Sequence, residues 1–364
     1  MDANKLLRSL AEIKETLNVP KNIKIIRDVL VEKSLYLSVL PRAKRKSLSR
    51  RTVENIWWYI RHLEPCRYYN SYGFDIVGLR KQKNYIPYRR FRIERNNENY
   101  EVSPFHPYKN QTIILRDKIL FSSFFGQLLG PQYIIENLGY IEQDSRVYDL
   151  REHKYTTLID FVNKYPKDLF VKKLFGECGD GCYLLNKSMN NILDIVKGMK
   201  GSTYIIQPRL EQHKALNEIN SSCVNTIRIV TVRSKRNNKV SVLAHFIRFG
   251  TQGFINDNRA TGGIAVEITS HGILGKWGIG HHSLMSMHPN SQKQFEGCII
   301  PNFELVKELV IRAHNLLPNI VSIGWDVAIT PTGPVLLEGN DNWEISGPQD
   351  TTGGLKEKWY QLHN

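Results

Sequence analysis

The 364-residue chain is expected to fold as an α+β protein, and three features point there. Short runs rich in β-branched and aromatic residues alternate with segments of helical period, so both periodicities are present. The last two runs are joined by a tight Pro-Thr-Gly turn, the mark of an antiparallel hairpin. No strand leads through a dinucleotide fingerprint into a helix, which argues against a doubly wound parallel sheet.

Taken in order, residues 1–65 read as helical. Leu6, Leu7, Leu10, Ile13 and Leu17 fall at helix spacing, and apolar groups continue after a break at Pro20. Residues 66–110, rich in Tyr, Arg and Asn, show no clean period and are expected to be irregular. Asp117–Gly130 reads as a helix closed by Gly130-Pro131. Asp168–Phe175 reads as a strand, followed by the glycine-rich turn GECGDGC and a strand at Tyr183–Leu185. A helix at Ser188–Met199 precedes a strand at Tyr204–Gln207. Strands follow at Thr226–Arg233 and Val240–Phe249, then a helix at Phe303–Leu317 and the hairpin Ile323–Thr330 with Gly333–Glu338.

Composition narrows the function classes. Hydrophobic residues make up 41% and charged residues 23%, the balance of a globular chain, so disordered and collagenous classes are excluded. Five cysteines without a CxxC pair suit a reducing compartment. The N-terminus carries charges throughout, and the longest uncharged stretch, Ile119–Ile135, is interrupted by Pro131; a soluble cytoplasmic protein is expected. Net charge is +15, and residues 1–110 hold 23 Lys and Arg against 11 Asp and Glu. An acidic partner therefore meets the N-terminal third first: nucleic acid, an anionic membrane face or a phosphorylated substrate.

The segment GWDVAITPTGPVLLEGNDNWE carries the strongest chemical signal. With the turn centred on Thr332, Ile329 should face Val335, Val327 should face Leu337, and Asp326 should face Glu338. Asn340, two residues beyond Glu338, then shares its face. Like charges directly opposite destabilise a sheet unless something binds between them. Two carboxylates and an amide oxygen are what a hard cation such as Mg²⁺ takes. The bland alternative is a solvated face with unrelated acids.

The turn Gly176-x-x-Gly179-x-Gly181 joins two strands and allows backbone N–H groups to meet phosphate oxygens. Lys172 lies in the strand before it, where burial is costly without an anionic partner. Lys173 points to the opposite face and is expected to be solvated. Cys178 and Cys182 lack a second ligand pair and read as small loop residues.

Six blocks together resemble the ATP-grasp superfamily, and specifically its sugar-transfer-associated branch: Asp117-Lys118 before a helix, FVKKLFGECGDG, YIIQPRLEQH, NTIRIVTV, DNRATGGI and GWDVAI…LLEGNDN. They cover roughly residues 110–345. The resemblance implies the ATP-grasp fold, two α+β subdomains gripping ATP, behind a basic, mainly helical N-terminal region. The corresponding divisions are 1–110, 111–210 and 211–364. By the same resemblance, Lys118 and Lys172 reach the nucleotide phosphates, and Gly176, Gly179 and Gly181 cover them. Gln207, Pro208, Arg209 and Leu210 resemble the hinge that meets adenine, with Glu211 toward the ribose. Asp326, Glu338 and Asn340 resemble the Mg²⁺ ligands. Arg228 and Arg248 resemble the groups that hold an acyl phosphate, and Asn258, Gly262 and Gly263 fall in a loop near the reacting centre. Gln207 stands where many relatives keep an acid, and Lys173 replaces a common proline, which leaves both Lys172 and Lys173 as phosphate candidates.

The activity implied is an ATP-dependent carboxylate–amine ligase working through an acyl phosphate. The resemblance suggests cell-surface polysaccharide biosynthesis, with an amino acid or amine joined to a uronic acid sugar. The basic N-terminal region would then meet a nucleotide sugar or a lipid-linked glycan at the anionic inner membrane face. An ATP-grasp kinase acting on a hydroxyl needs the same cradle. A basic nucleic-acid-binding protein is the rival of another class, though no helix-turn-helix, zinc-finger or RNA-binding signature supports it. His281, His282 and His288 read as solvated loop residues, and His213 and His245 as structural. Trp57-Trp58 reads as core. The basic run PRAKRKSLSRR reads as a solvated face or an anionic-surface contact.

Overall fold

Two antiparallel sheets organise the chain. The structure, a computed structural model, describes residues 14, 18–33, 36–40, 42–99, 111–142, 146–176, 181–199, 202–251, 254–258, 262–280 and 283–363. Leu6, Leu7, Leu10, Ile13, Leu17, Pro41, Cys178, Gly179, His281 and His282 lie outside the described residues.

The first sheet comprises β1 (Gly139–Ile141), β2 (Val147–Asp149), β3 (Lys154–Thr156), β4 (Leu169–Lys173), β5 (Tyr183–Leu185) and β6 (Tyr204–Pro208), ordered β3-β2-β1-β6-β4-β5. The second comprises β7 (Ile227–Arg233), β8 (Val240–Phe249), β9 (Ile264–Ile268), β10 (Leu274–Ile279), β11 (Leu284–Met285), β12 (Ser322–Thr330) and β13 (Gly333–Asn340), ordered β11-β10-β9-β8-β7-β12-β13. Each strand pairing in both sheets is antiparallel, which agrees with the α+β expectation.

The second sheet is covered on both faces, so β12 is buried along its whole length. Helix Phe303–Asn315 and helix Lys118–Leu129 pack one face through Val306, Leu309, Phe121 and Phe125, with Phe125 edge-on to Trp325 at 5.6 Å. The other face buries Val230, Val232 and Leu243 beneath Phe91, Trp343 and Trp359. Each such side chain contributes about 1.5–3 kcal/mol on leaving water. The smaller sheet has its own core around Val171, Leu185 and Phe161.

Local signals set the helix ends. Asp117 caps helix Lys118–Leu129 by accepting from the N–H groups of Ile119 (2.8 Å) and Leu120 (3.0 Å), and Gly130 closes it at φ 121° before Pro131. Pro20 does not break a helix; it sits in the first turn of Val19–Leu30, where its missing N–H costs nothing.

Three expectations need correction. Residues 66–110 are not irregular throughout, because Tyr88–Asn99 is helical. Its buried positions are Phe91, Arg95 and Asn99, one apolar residue in three, so no apolar period marked it. Arg95 donates to the Trp343 carbonyl, and Asn99 Nδ2 donates to the carbonyls of Ser322 (2.9 Å) and Asp341 (2.7 Å). Polar contacts, together with Phe91 against Trp343 and Trp359, thus dock this helix on the second sheet. Second, the Trp57-Trp58 pair splits, with Trp58 buried and Trp57 exposed. Third, the hairpin is not symmetric about Thr332. Thr330 pairs Gly333 across a two-residue turn, so Ile329 faces Pro334 and Val327 faces Leu336. A register shift between Asp326 and Val327 then places Asp326 opposite Glu338 after all.

Candidate active site between the two sheets

Strand register assembles the site. Arg228 on β7, Asp326 on β12 and Glu338 on β13 lie in one row across three adjacent strands, so their side chains share a face. Arg228 grips Asp326 with two hydrogen bonds, Nε to Oδ1 at 2.6 Å and Nη2 to Oδ2 at 2.9 Å. Arg248, near the end of β8, reaches Asp326 Oδ2 from its Nη2 at 3.1 Å. Arg228 is therefore no strand-edge charge but a half-buried partner in mid-sheet.

The two carboxyls titrate in opposite directions. Burial alone would raise Asp326, but Arg228 and Arg248 hold it well below the usual range. Glu338 is pushed up by burial and by the Asp326 charge beside it, with a hydrogen bond between the two carboxyls. Asn340 Nδ2 donates to Glu338 Oε1 at 3.3 Å.

Lys172 on β4 of the first sheet and Lys118 at the start of helix Lys118–Leu129 both favour the charged form of Glu338. Burial lowers the Lys172 ammonium to about 8, opposed by the Glu338 charge. Lys118 Nζ donates to the carbonyls of Leu174 (3.0 Å) and Gly176 (3.1 Å), tying the helix start to the glycine turn. Lys173 is half-buried rather than solvated. A Cβ at Gly181, where φ is +68°, would lie 2.7 Å from Lys173 Cε, so both conformation and space require glycine there.

Below the charged row lies a cleft of about 700 Å³, within the range of small-molecule sites. Ile135, Phe170, Leu184, Leu210 and Leu337 give it apolar walls, and Gln207, Pro208, Arg209 and Glu211 also line it. The crossing segment is anchored at both ends: Arg209 Nη1 meets Asp168 at 3.3 Å, and the His213 N–H donates to the Ile329 carbonyl at 2.8 Å. Gln207 is buried and donates from Nε2 to Asn137 Oδ1 at 2.8 Å.

Three supporting residues, Asp257, Thr226 and Asn137, escaped the sequence reading. Asp257 accepts from the Thr226 N–H (2.7 Å) and Oγ1 (2.5 Å) and lies 3.6 Å from Arg248. Thr226 Oγ1 in turn holds Arg248 Nη2 at 2.6 Å. An acid directly before Asn258 in a loop of Asn and Gly was the available signal. Asn137 carried none. Asn258 itself turns the loop, its carbonyl accepting from the Gly263 N–H at 2.9 Å. The remaining candidates stand apart: His288 is buried against the Gly250 carbonyl at 2.8 Å, His245 packs edge-on to Phe303, and His213 caps Lys214–Asn217. No cluster of three His, Cys, Asp or Glu suited to a metal occurs among the described residues.

The residues fit a hard cation. Their donors are oxygens, and Glu338, held against Asp326 and pushed toward its protonated form, is the carboxyl that no arginine grips.

The family described as sugar-transfer associated ATP-grasp matches residues 96–358. The match spans well over half of the chain, which belongs to that family. No curated protein matches. Among solved structures, N5-carboxyaminoimidazole synthetase from Staphylococcus aureus is similar at 11% identity and a TM-score of 0.41, over 70% of this chain and 53% of its own. L-amino acid ligase from Bacillus licheniformis is similar at 11% and 0.39, over 69% and 46%. VanG D-Ala:D-Ser ligase from Enterococcus faecalis is similar at 8% and 0.40, over 68% and 62%. The chain spans about half the length of the first of these.

Proposed function

We propose that this member of the sugar-transfer-associated ATP-grasp family is an ATP-dependent carboxylate–amine ligase. The observation that carries the reading is the Asp326–Glu338 pair, flanked by Arg228, Arg248, Lys118 and Lys172 at the head of an apolar cleft. Four cations against two carboxylates favour a polyphosphate, and the apolar walls suit a purine.

In this reading Leu210 and its neighbours contact adenine, Glu211 the ribose, and Lys118, Lys172 and the Gly176–Gly181 turn the phosphates. Asp326, Glu338 and Asn340 would hold Mg²⁺, which when bound offsets charge on phosphate oxygens. A carboxylate oxygen of the acceptor attacks the γ-phosphorus, the bond to ADP breaks, and an acyl phosphate forms. The amine then attacks the acyl carbon and loses a proton, and phosphate leaves with its bonding pair. Arg228 and Arg248 steady the acyl phosphate, a task for guanidinium forks. Positioning and electrostatics do this work without a protein nucleophile.

The family description and the basic N-terminal region support a place in polysaccharide biosynthesis, joining an amino acid or amine to a uronic acid at the inner membrane face. Among the described residues no helix is long and apolar enough to cross a membrane. Incubating the protein with ATP, Mg²⁺ and paired uronic acids and amines should yield ADP, free phosphate and an amide. A stable phosphoester without free phosphate would instead mark a kinase.

A further inference from the structure

Helix Leu48–His62 is built inside out. At 100° per residue, Val53, Ile56, Trp57 and Ile60 fall within an arc of about 100°. All four point to solvent, with exposures of 65%, 47%, 61% and 61%. The inward arc holds Arg51, Asn55, Trp58 and His62. Arg51 pairs with Glu32 at 3.1 Å, and Asn55 and Trp58 are buried. Scattered exposed apolar residues are ordinary, but four at helical spacing on the outer face of a polar-cored helix form a continuous stripe.

The cations around it narrow the partner. Most of the basic run before and within the helix is spent internally: Arg45 on Glu32 and Asp75, and Lys46 and Arg50 on Glu54. Among the described residues Arg42, Lys44 and Arg61 enter no ion pair. Arg61, exposed, borders the stripe on one side. The adjoining helix Val19–Leu30 leaves Val19 and Ile23 exposed one turn apart, with Lys24 and Arg27 exposed near them in sequence. With 23 Lys and Arg against 11 Asp and Glu in residues 1–110, a second copy on the stripe would bring two cationic surfaces together.

We propose that helix Leu48–His62 is an interfacial membrane-docking element, which lays Val53, Ile56, Trp57 and Ile60 into an anionic lipid surface with Arg61 at headgroup level. A tryptophan on an apolar face bordered by an unpaired arginine matches the chemistry of that boundary. The proposal gives a location to the membrane-face contact put forward above, and rests on that reading for the lipid-linked acceptor but not for the lipid contact itself.

The test is flotation of the full chain with vesicles of phosphatidylcholine alone or with about 30% phosphatidylglycerol. The parent should float with the anionic vesicles and be released at roughly 0.5 M salt, where the Debye length shrinks to a few ångströms. Trp57→Ser with Ile60→Ser should weaken partitioning at least about tenfold. Val53→Ser on the same arc should act in the same direction, and Arg61→Glu should remove the preference for anionic lipid. Melting temperature and the response to ATP analogue, followed in each variant, should be unchanged. Failure of the parent to float overturns the proposal, as does equal flotation of the stripe variant. Conversion of a parent dimer to monomer by that variant, without lipid binding, assigns the stripe to a second copy and also overturns it. A parent that floats but gives no nucleotide response leaves this proposal standing and removes the ligase reading.

Discussion

Asp326 and Glu338 face each other on adjacent strands, joined by a hydrogen bond between their carboxyls, yet Asp326 is held far down and Glu338 is pushed up. Arg228 and Arg248 both bind Asp326 and favour its charged form, and that charge with burial pushes Glu338 the other way.

A pH dependence follows. Cation binding requires Glu338 to lose its proton, so Mg²⁺ affinity should rise with pH through the raised Glu338 range and then level off. The folded carboxyl titrates above its ordinary 4.5, so its ionisation destabilises the fold as pH climbs from 4.5 through that raised value. Glu338→Gln should therefore raise apo stability at pH values above the raised Glu338 range while abolishing the Mg²⁺ response. Denaturant unfolding with and without Mg²⁺ checks both signs.

Lys172 offers a similar trade of stability for function. Its folded value of about 8 lies below the ordinary 10.5, so its contribution is unfavourable below pH 8 and is relieved as pH rises from about 8 to 10.5. Lys172→Met should stabilise the apo protein by about 1–2 kcal/mol at pH 7 and remove the response to nucleotide. In the parent, nucleotide affinity should fall above pH 8, where the free amine loses its proton. Lys173→Met, on the other face, should leave nucleotide binding intact; melting curves with ATP analogue distinguish the two lysines.

The Arg228–Asp326 pair should be costly to break from one side. Arg228→Ala leaves a buried carboxylate with Arg248 alone and should cost about 3 kcal/mol. Asp326→Asn with Arg228→Ala should cost less than the sum of the single changes. A double-mutant cycle by urea unfolding gives the coupling, and strict additivity would contradict the geometry.

Gly181→Ala tests the turn. Its left-handed backbone and the 2.7 Å approach to Lys173 Cε predict a loss of about 1–2 kcal/mol. Thermal unfolding would show it.

Much of this site was legible in the order of residues, for a local reason. A hairpin is a short-range object, so alternation alone put Asp326 against Glu338, even though the turn and the register shift each departed from the assumed symmetry by one residue. The grip of Arg228 on Asp326 spans 98 positions and depends on β7 pairing with β12, which no local pattern states. Helix Tyr88–Asn99 was hidden because Phe91 is the one apolar residue among its three buried positions and its contacts with Ser322 and Asp341 are polar. The periodicity of Leu48–His62 marks an apolar face but not its orientation, and here that face points outward.

The central claim is a Mg²⁺-dependent ATP cradle headed by the carboxylate pair. Its most direct test is thermal stabilisation by a non-hydrolysable ATP analogue, with and without Mg²⁺, in the parent and in Glu338→Ala. Ligand bound to the folded state should raise the melting temperature. A Mg²⁺-dependent rise in the parent that is lost in Glu338→Ala is the predicted result; no rise in the parent at millimolar nucleotide would contradict the account.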